Sequence, residues 1–148
     1  MPTHEATLFQ QVCEQCGAPL NAGMSCRERF DELLALDHAR AEPWGSRHGL
    51  AFSVFTLQHS RDVSRDMIAR CLDILRRVYV NGEERQHVVT SIRRDHGAPG
   101  AASSPRDAAT GAPNVFGFTI DHMGDFSADT YAADLDAWCL ATIEAWSP

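Results

Sequence analysis

The chain has 148 residues, enough to bury an apolar core without covalent staples, and its 44% hydrophobic and 22% charged content is that of an ordinary globule. Its formal net charge of −7, with every one of the 13 basic residues an arginine and the arginines scattered, excludes the basic footprint of a nucleic-acid or anionic-membrane binder. No apolar run approaches the roughly 20 residues that span a bilayer, and MPTHEATLFQQ lacks the basic and apolar regions of a signal peptide. The expected compartment is therefore the cytoplasm, where thiols stay reduced and a CxxC is more often a metal or catalytic motif than a disulfide.

In chain order, residues 1 to 12 read as a lead-in to CEQCG at 13–17, followed by a loop with Pro19 and Gly23. Ser25 caps a helix, with Glu28 three residues on, and Phe30, Leu33, Leu34 and Leu36 mark its apolar side as far as about Ala39. Pro43 and Gly45 in AEPWG end that run. RHGLAFSVFTLQH, 47–59, is apolar all round. Its length favours a helix over the alternative, a buried strand. Ser60 is placed to cap the next helix, on which Val63, Met67, Cys71, Leu75 and Val78 recur at helical spacing. A shorter helix follows over 83–95, carrying Val88, Val89 and Ile92, with Gly97 as its C-cap.

Residues 97–114 carry no large apolar side chain and read as a flexible surface loop. VFGFTIDHMGDF is a short strand-like or irregular segment. Ser127 then caps a last helix that buries Tyr131, Leu135, Trp138, Cys139, Ile143 and Trp146. The expected fold is mainly α: a small single-domain bundle of four to five helices behind an N-terminal cysteine knuckle at 13–26.

The knuckle carries the chemistry. Two residues between Cys13 and Cys16 let both sulfurs reach one ion, and Gly17 tolerates the left-handed turn that points backbone N–H groups at sulfur. Cys26 adds a third sulfur at a helix start, where unpaired N–H groups favour a thiolate. Thiolates in a reducing compartment select zinc, so Zn2+ is the expected ion. A redox dithiol would want the CxxC inside a βαβ unit, and none is visible. Cys71 and Cys139 fall on apolar helix faces and read as core.

The candidates for a fourth ligand are His38, His48 and His59. If 26–39 and 48–59 form an antiparallel hairpin about AEPWG, the numbers of facing residues total about 85. Cys26 then faces His59, while His48 faces Asp37 and His38. His59 is the expected ligand, with His48 as the alternative if the hairpin bends.

CEQCG, Cys26 opening a helix, HGLAFSVFTLQH and a terminal helix with repeated tryptophan resemble a family of small bacterial proteins, domain of unknown function 5946. The family pattern is CPxCG, a later Cys, HxLxVDAYxxQHP and a Trp-bearing last helix. Cys13, Cys16, Gly17, Cys26, His48, Leu50, Gln58, His59, Trp138 and Trp146 match it. Glu14, Ser53, Phe55 and Ser60 depart from it, and losing the Asp and Tyr of that helix weakens any polar active site built there. The resemblance supports a metal site and brings no activity with it.

The leading functional reading is a zinc-binding protein whose metal is structural, acting as a binding or adaptor module for a protein partner. Two alternatives stand beside it. One is a metal-dependent hydrolase or thiol-transfer enzyme using Asp37, His38, His48 and the His59 region. The other is a thiol-based redox or metal sensor.

Overall fold

A computed structural model describes residues 11–20, 23–96 and 112–147. Five helices make up the described chain: α1 (Cys26–His38), α2 (His48–Gln58), α3 (Arg65–Tyr79), α4 (Arg85–His96) and α5 (Tyr131–Trp146). Single 3-10 turns at Gly45–Arg47 and Ile120–Met123 lead into α2 and precede α5. The mainly helical architecture expected of the sequence is the one observed. The Gly97 C-cap and most of the 97–114 loop lie outside the described residues.

Helix α2 is the axis of the molecule. Eight of its eleven residues are buried, on every side, which is what a helix without a polar face must do in water. It lies against α1, α3 and α5, and Gly49 faces Val89 of α4. A Cβ on Gly49 would stand 2.8 Å from a Val89 methyl, so glycine here is a requirement of packing. The apolar cluster runs from Cys16 of the knuckle through Phe30, Leu33, Leu50, Val54, Leu57 and Leu75 to Leu135 and Trp138.

Two helix starts differ from the sequence reading. Ser64, not Ser60, caps α3, its hydroxyl accepting from the Met67 amide at 3.2 Å. Ser60 is buried, and its carbonyl closes a turn with the Val63 amide at 3.1 Å. α5 begins at Tyr131 rather than beside Ser127, whose carbonyl accepts from Thr130 and Tyr131 in a preceding turn. The expected Ser25 cap is present, its hydroxyl accepting from the Glu28 amide at 3.1 Å. VFGFTIDHMGDF is irregular, the second of its two expected forms, apart from the 3-10 turn at Ile120–Met123, with Thr119 and His122 closing a capping box across that turn.

The last turn of α2 is anchored from the far end of the chain. Trp146 donates its indole N–H to the Leu57 carbonyl at 3.0 Å, satisfying an acceptor that the helix end leaves open. The Gln58 amide donates to the Phe118 carbonyl and to the Thr142 hydroxyl, each at 2.8 Å. α5 therefore fixes where α2 stops, and His59 is the residue at that stop.

Candidate metal centre

The knuckle is a tight reversal pinned at its base by backbone pairing. Leu20 donates to the Gln11 carbonyl, Cys13 to the Ala18 carbonyl (both 2.8 Å), and Gly17 to the Cys13 carbonyl at 2.9 Å. Gly17 has φ +81°, the left-handed conformation that a side chain resists. That turn aims the Ala18 N–H at the Cys16 sulfur, 3.4 Å away, a donor well placed to stabilise a thiolate.

The two residues inside the motif hold the knuckle to the α2–α3 turn. Gln15 accepts from the Arg61 amide at 3.0 Å, and Glu14 pairs with the Arg61 guanidinium at 3.3 Å. Arg61 is two residues past His59. The contacts that carry Cys13 and Cys16 therefore land beside the histidine.

Helices α1 and α2 supply the other two residues as facing members of a hairpin. Cys26 opens α1 and His59 closes α2. One turn further in, Phe30 stacks on Phe55 with ring centroids 4.2 Å apart, and Phe55 stacks on the His59 imidazole at 4.1 Å. At the other end of the hairpin, His48 Nδ1 and Asp37 Oδ2 are 2.8 Å apart. The Cys26–His59, Phe30–Phe55 and Asp37–His48 pairs each obey the facing rule of the sequence, so the helices pair in the expected register.

The result is a convergence of four side chains. One ligand atom from each of Cys13, Cys16, Cys26 and His59 lies within 4.8 Å of all the others, and the Cys16 and Cys26 sulfurs are 3.6 Å apart. Donors around a single tetrahedral ion at about 2.3 Å (sulfur) and 2.0 Å (nitrogen) stand roughly 3.4–3.8 Å from one another. The cluster could hold a metal ion with little rearrangement.

The imidazole is oriented for that task. Its Nδ1 is 2.9 Å from the Phe55 carbonyl, which can only accept, so Nδ1 carries the proton. Nε2 is left as the lone-pair nitrogen, buried and without a hydrogen-bond partner. A backbone carbonyl that fixes the tautomer of a ligating histidine is the usual outer support of a metal site.

The sulfurs are poised in the same sense. The hydrogen bond with Cys26, opposed by burial, holds the Cys16 thiol well below the ordinary thiol range, at about 4. Its hydrogen bond to Cys16, then burial, push Cys26 up. The pair gives up one proton readily and keeps the second, because two buried thiolates in contact repel without a cation between them. Cys71 is pushed up to about 11 by burial, and burial also raises Cys139, so both core thiols stay protonated and unreactive.

All four residues expected at the site are therefore brought together. His48 is not among them: it stands about 16 Å along α2 from His59 and is taken by Asp37. His38 is exposed. Among the described residues no second set of three His, Cys, Asp or Glu side chains converges. Ser53 donates its hydroxyl to the Gly49 carbonyl at 2.8 Å, and Phe55 spends its ring on the stack. Sequence reasoning missed Phe30, Phe55, Gln15 and Arg61. The first two sit one helical turn inward from Cys26 and His59, a spacing that could have found them; the Gln15–Arg61 pairing has no local signal.

The fold and site define a small helical protein with a Cys3His cluster able to take a metal ion. A family model described as a family of unknown function, DUF5946, matches residues 11–147, and the chain belongs to that family. No curated protein and no solved structure matches it.

Proposed function

We propose that Cys13, Cys16, Cys26 and His59 bind one zinc ion in a closed shell, and that the ion is structural. It would fasten the knuckle to the open end of the α1–α2 hairpin. The observation that carries the reading is the buried, unpartnered Nε2 of His59, its tautomer fixed by the Phe55 carbonyl, beside three clustered sulfurs. A buried lone pair without a partner is costly, and a cation removes that cost.

Zinc is the ion that this donor set favours. Three thiolates and an imidazole suit a d10 cation without geometric preference, and they fill its tetrahedron, leaving no position for a reacting water. That shell favours a stabilising role over hydrolysis. The chain would then act through its surface, as a binding or adaptor module for a protein partner. A reducing compartment such as the cytoplasm would keep the thiols available to metal; no described helix is long and apolar enough to cross a membrane.

Elemental analysis of protein purified without added metal tests the reading. The expected result is one zinc per chain, with X-ray absorption giving three sulfurs near 2.3 Å and one nitrogen near 2.0 Å. A folded chain that neither retains nor takes up zinc would overturn it.

A further inference from the structure

Thiolates around a redox-inert ion stay open to oxidation, and the three cysteines of this cluster are not equivalent. Cys16 and Cys26 are 2% and 5% exposed, whereas Cys13 is only partly buried. A cavity of about 520 Å³ reaches the cluster from outside, bounded by Val12, Cys13, Gln15, Leu20, Cys26 and Arg61. Of the three sulfurs, only those of Cys13 and Cys26 belong to residues that line it. The Cys26 sulfur is 3.6 Å from that of Cys16 and within 4.8 Å of that of Cys13, and Cys26 lines the same cavity as Cys13.

We propose that Cys13 is an oxidant-reactive site, and that its oxidation by a hydroperoxide, resolved by Cys26, opens the metal centre. This rests on the zinc reading above. The Cys13 thiolate attacks one peroxide oxygen, the O–O bond breaks, and water or an alcohol leaves after taking up a proton, giving the sulfenic acid. The Cys26 thiolate then attacks that sulfur. The S–S bond forms, the S–O bond breaks, and the departing hydroxide is protonated to water. Two electrons have moved from the two sulfurs to the peroxide. Only Cys16 and His59 remain as donors, too few to hold the ion, which leaves in its original charge state.

The other thiols do not compete. Cys71 and Cys139 are buried in the core and held as thiols, so the chemistry is confined to the knuckle. The fold sets its structural consequence. A bond from Cys13 to Cys26 draws the first arm of the knuckle toward α1 and frees His59, so the Gln15 and Glu14 contacts to Arg61 lose the ion that reinforced them.

The test uses the full chain loaded with one equivalent of zinc. Metal content before treatment tests the site; the response to added hydrogen peroxide tests the switch. The expected result is release of one zinc per chain to a colorimetric chelator, a mass loss of two hydrogens, and recovery of zinc binding after reduction by a dithiol. Cleavage after Glu14 and after Met24 places Cys13, Cys16 and Cys26 on three separate peptides. The Cys13 peptide should be found joined to the Cys26 peptide, and dimedone added with the peroxide should label Cys13. Val12→Trp narrows the cavity from an exposed position and should slow release severalfold with zinc loading unchanged. Zinc retained through excess peroxide, dimedone on Cys16 or Cys26 with Cys13 unlabelled, or an unchanged rate in Val12→Trp would each overturn the proposal.

Discussion

Replacing His59 by alanine separates the metal site from the rest of the hairpin. Structural zinc binds with roughly 10–16 kcal/mol of apparent free energy, so one of four donors accounts for about 3 kcal/mol, or roughly a 150-fold loss of affinity. At free zinc a thousandfold above the wild-type Kd, binding stabilises the native chain by about 4 kcal/mol; for the variant at the same zinc the figure falls to about 1 kcal/mol. For a chain of this length that is a zinc-induced rise in Tm of about 8–16 °C reduced to roughly 2–5 °C. The metal-free variant should itself be weaker by about 2 kcal/mol, because the imidazole also stacks on Phe55 and donates to its carbonyl. His48→Ala is the matched control. It strands Asp37, whose side chain is 4% exposed and whose Oδ1 has no partner, and should cost about 2–3 kcal/mol equally with and without zinc. Zinc affinity from chelator competition, with melts of both proteins in both states, decides the matter. Wild-type affinity in His59→Ala, or a loss of zinc in His48→Ala, would refute the assigned shell.

Gly17→Ala should lower zinc affinity about tenfold, since the added Cβ meets only the Asn114 carbonyl at 3.7 Å and the cost of about 1–2 kcal/mol is the left-handed φ; chelator competition reads it. Stability should fall as pH rises from 9 toward 11: Cys71 keeps its proton in the folded state to about 11 while the unfolded chain releases it near 9, so its contribution of about 3 kcal/mol is complete below pH 9 and lost through that window. Urea midpoints across the range should show the decline, and Cys71→Ala should flatten part of it. Shortening the chain within 98–110 should change the unfolding free energy by less than about 1 kcal/mol and leave zinc stoichiometry unchanged, because that stretch has no large apolar side chain and closure entropy varies slowly with length.

The sequence by itself determined the four residues of the candidate site and the register that joins them. CxxCG is local: two intervening residues and a glycine at φ +81° set two sulfurs side by side whatever the rest of the chain does. Hairpin register was legible for a similar reason. Once AEPWG ends one helix and a second starts at once, antiparallel packing leaves little freedom in which residues face each other, and Cys26 with His59 and Asp37 with His48 are the outcome. The positions of the caps were not legible, because Ser60 and Ser64 are equally good caps on local grounds; burial of Ser60 beneath the α2–α3 turn selected Ser64. Nor could the sequence show which imidazole nitrogen is free. That required the Phe55 carbonyl, the Phe30–Phe55–His59 ring stack, and α5 fixing the end of α2 through Trp146 and Thr142. Spacing along one helix or one turn is set by covalent geometry and reads from the sequence. The direction of a ring and the docking of Gln15 on Arg61 depend on atoms 40 to 90 residues apart meeting in the packed state, and only the tertiary structure decides them.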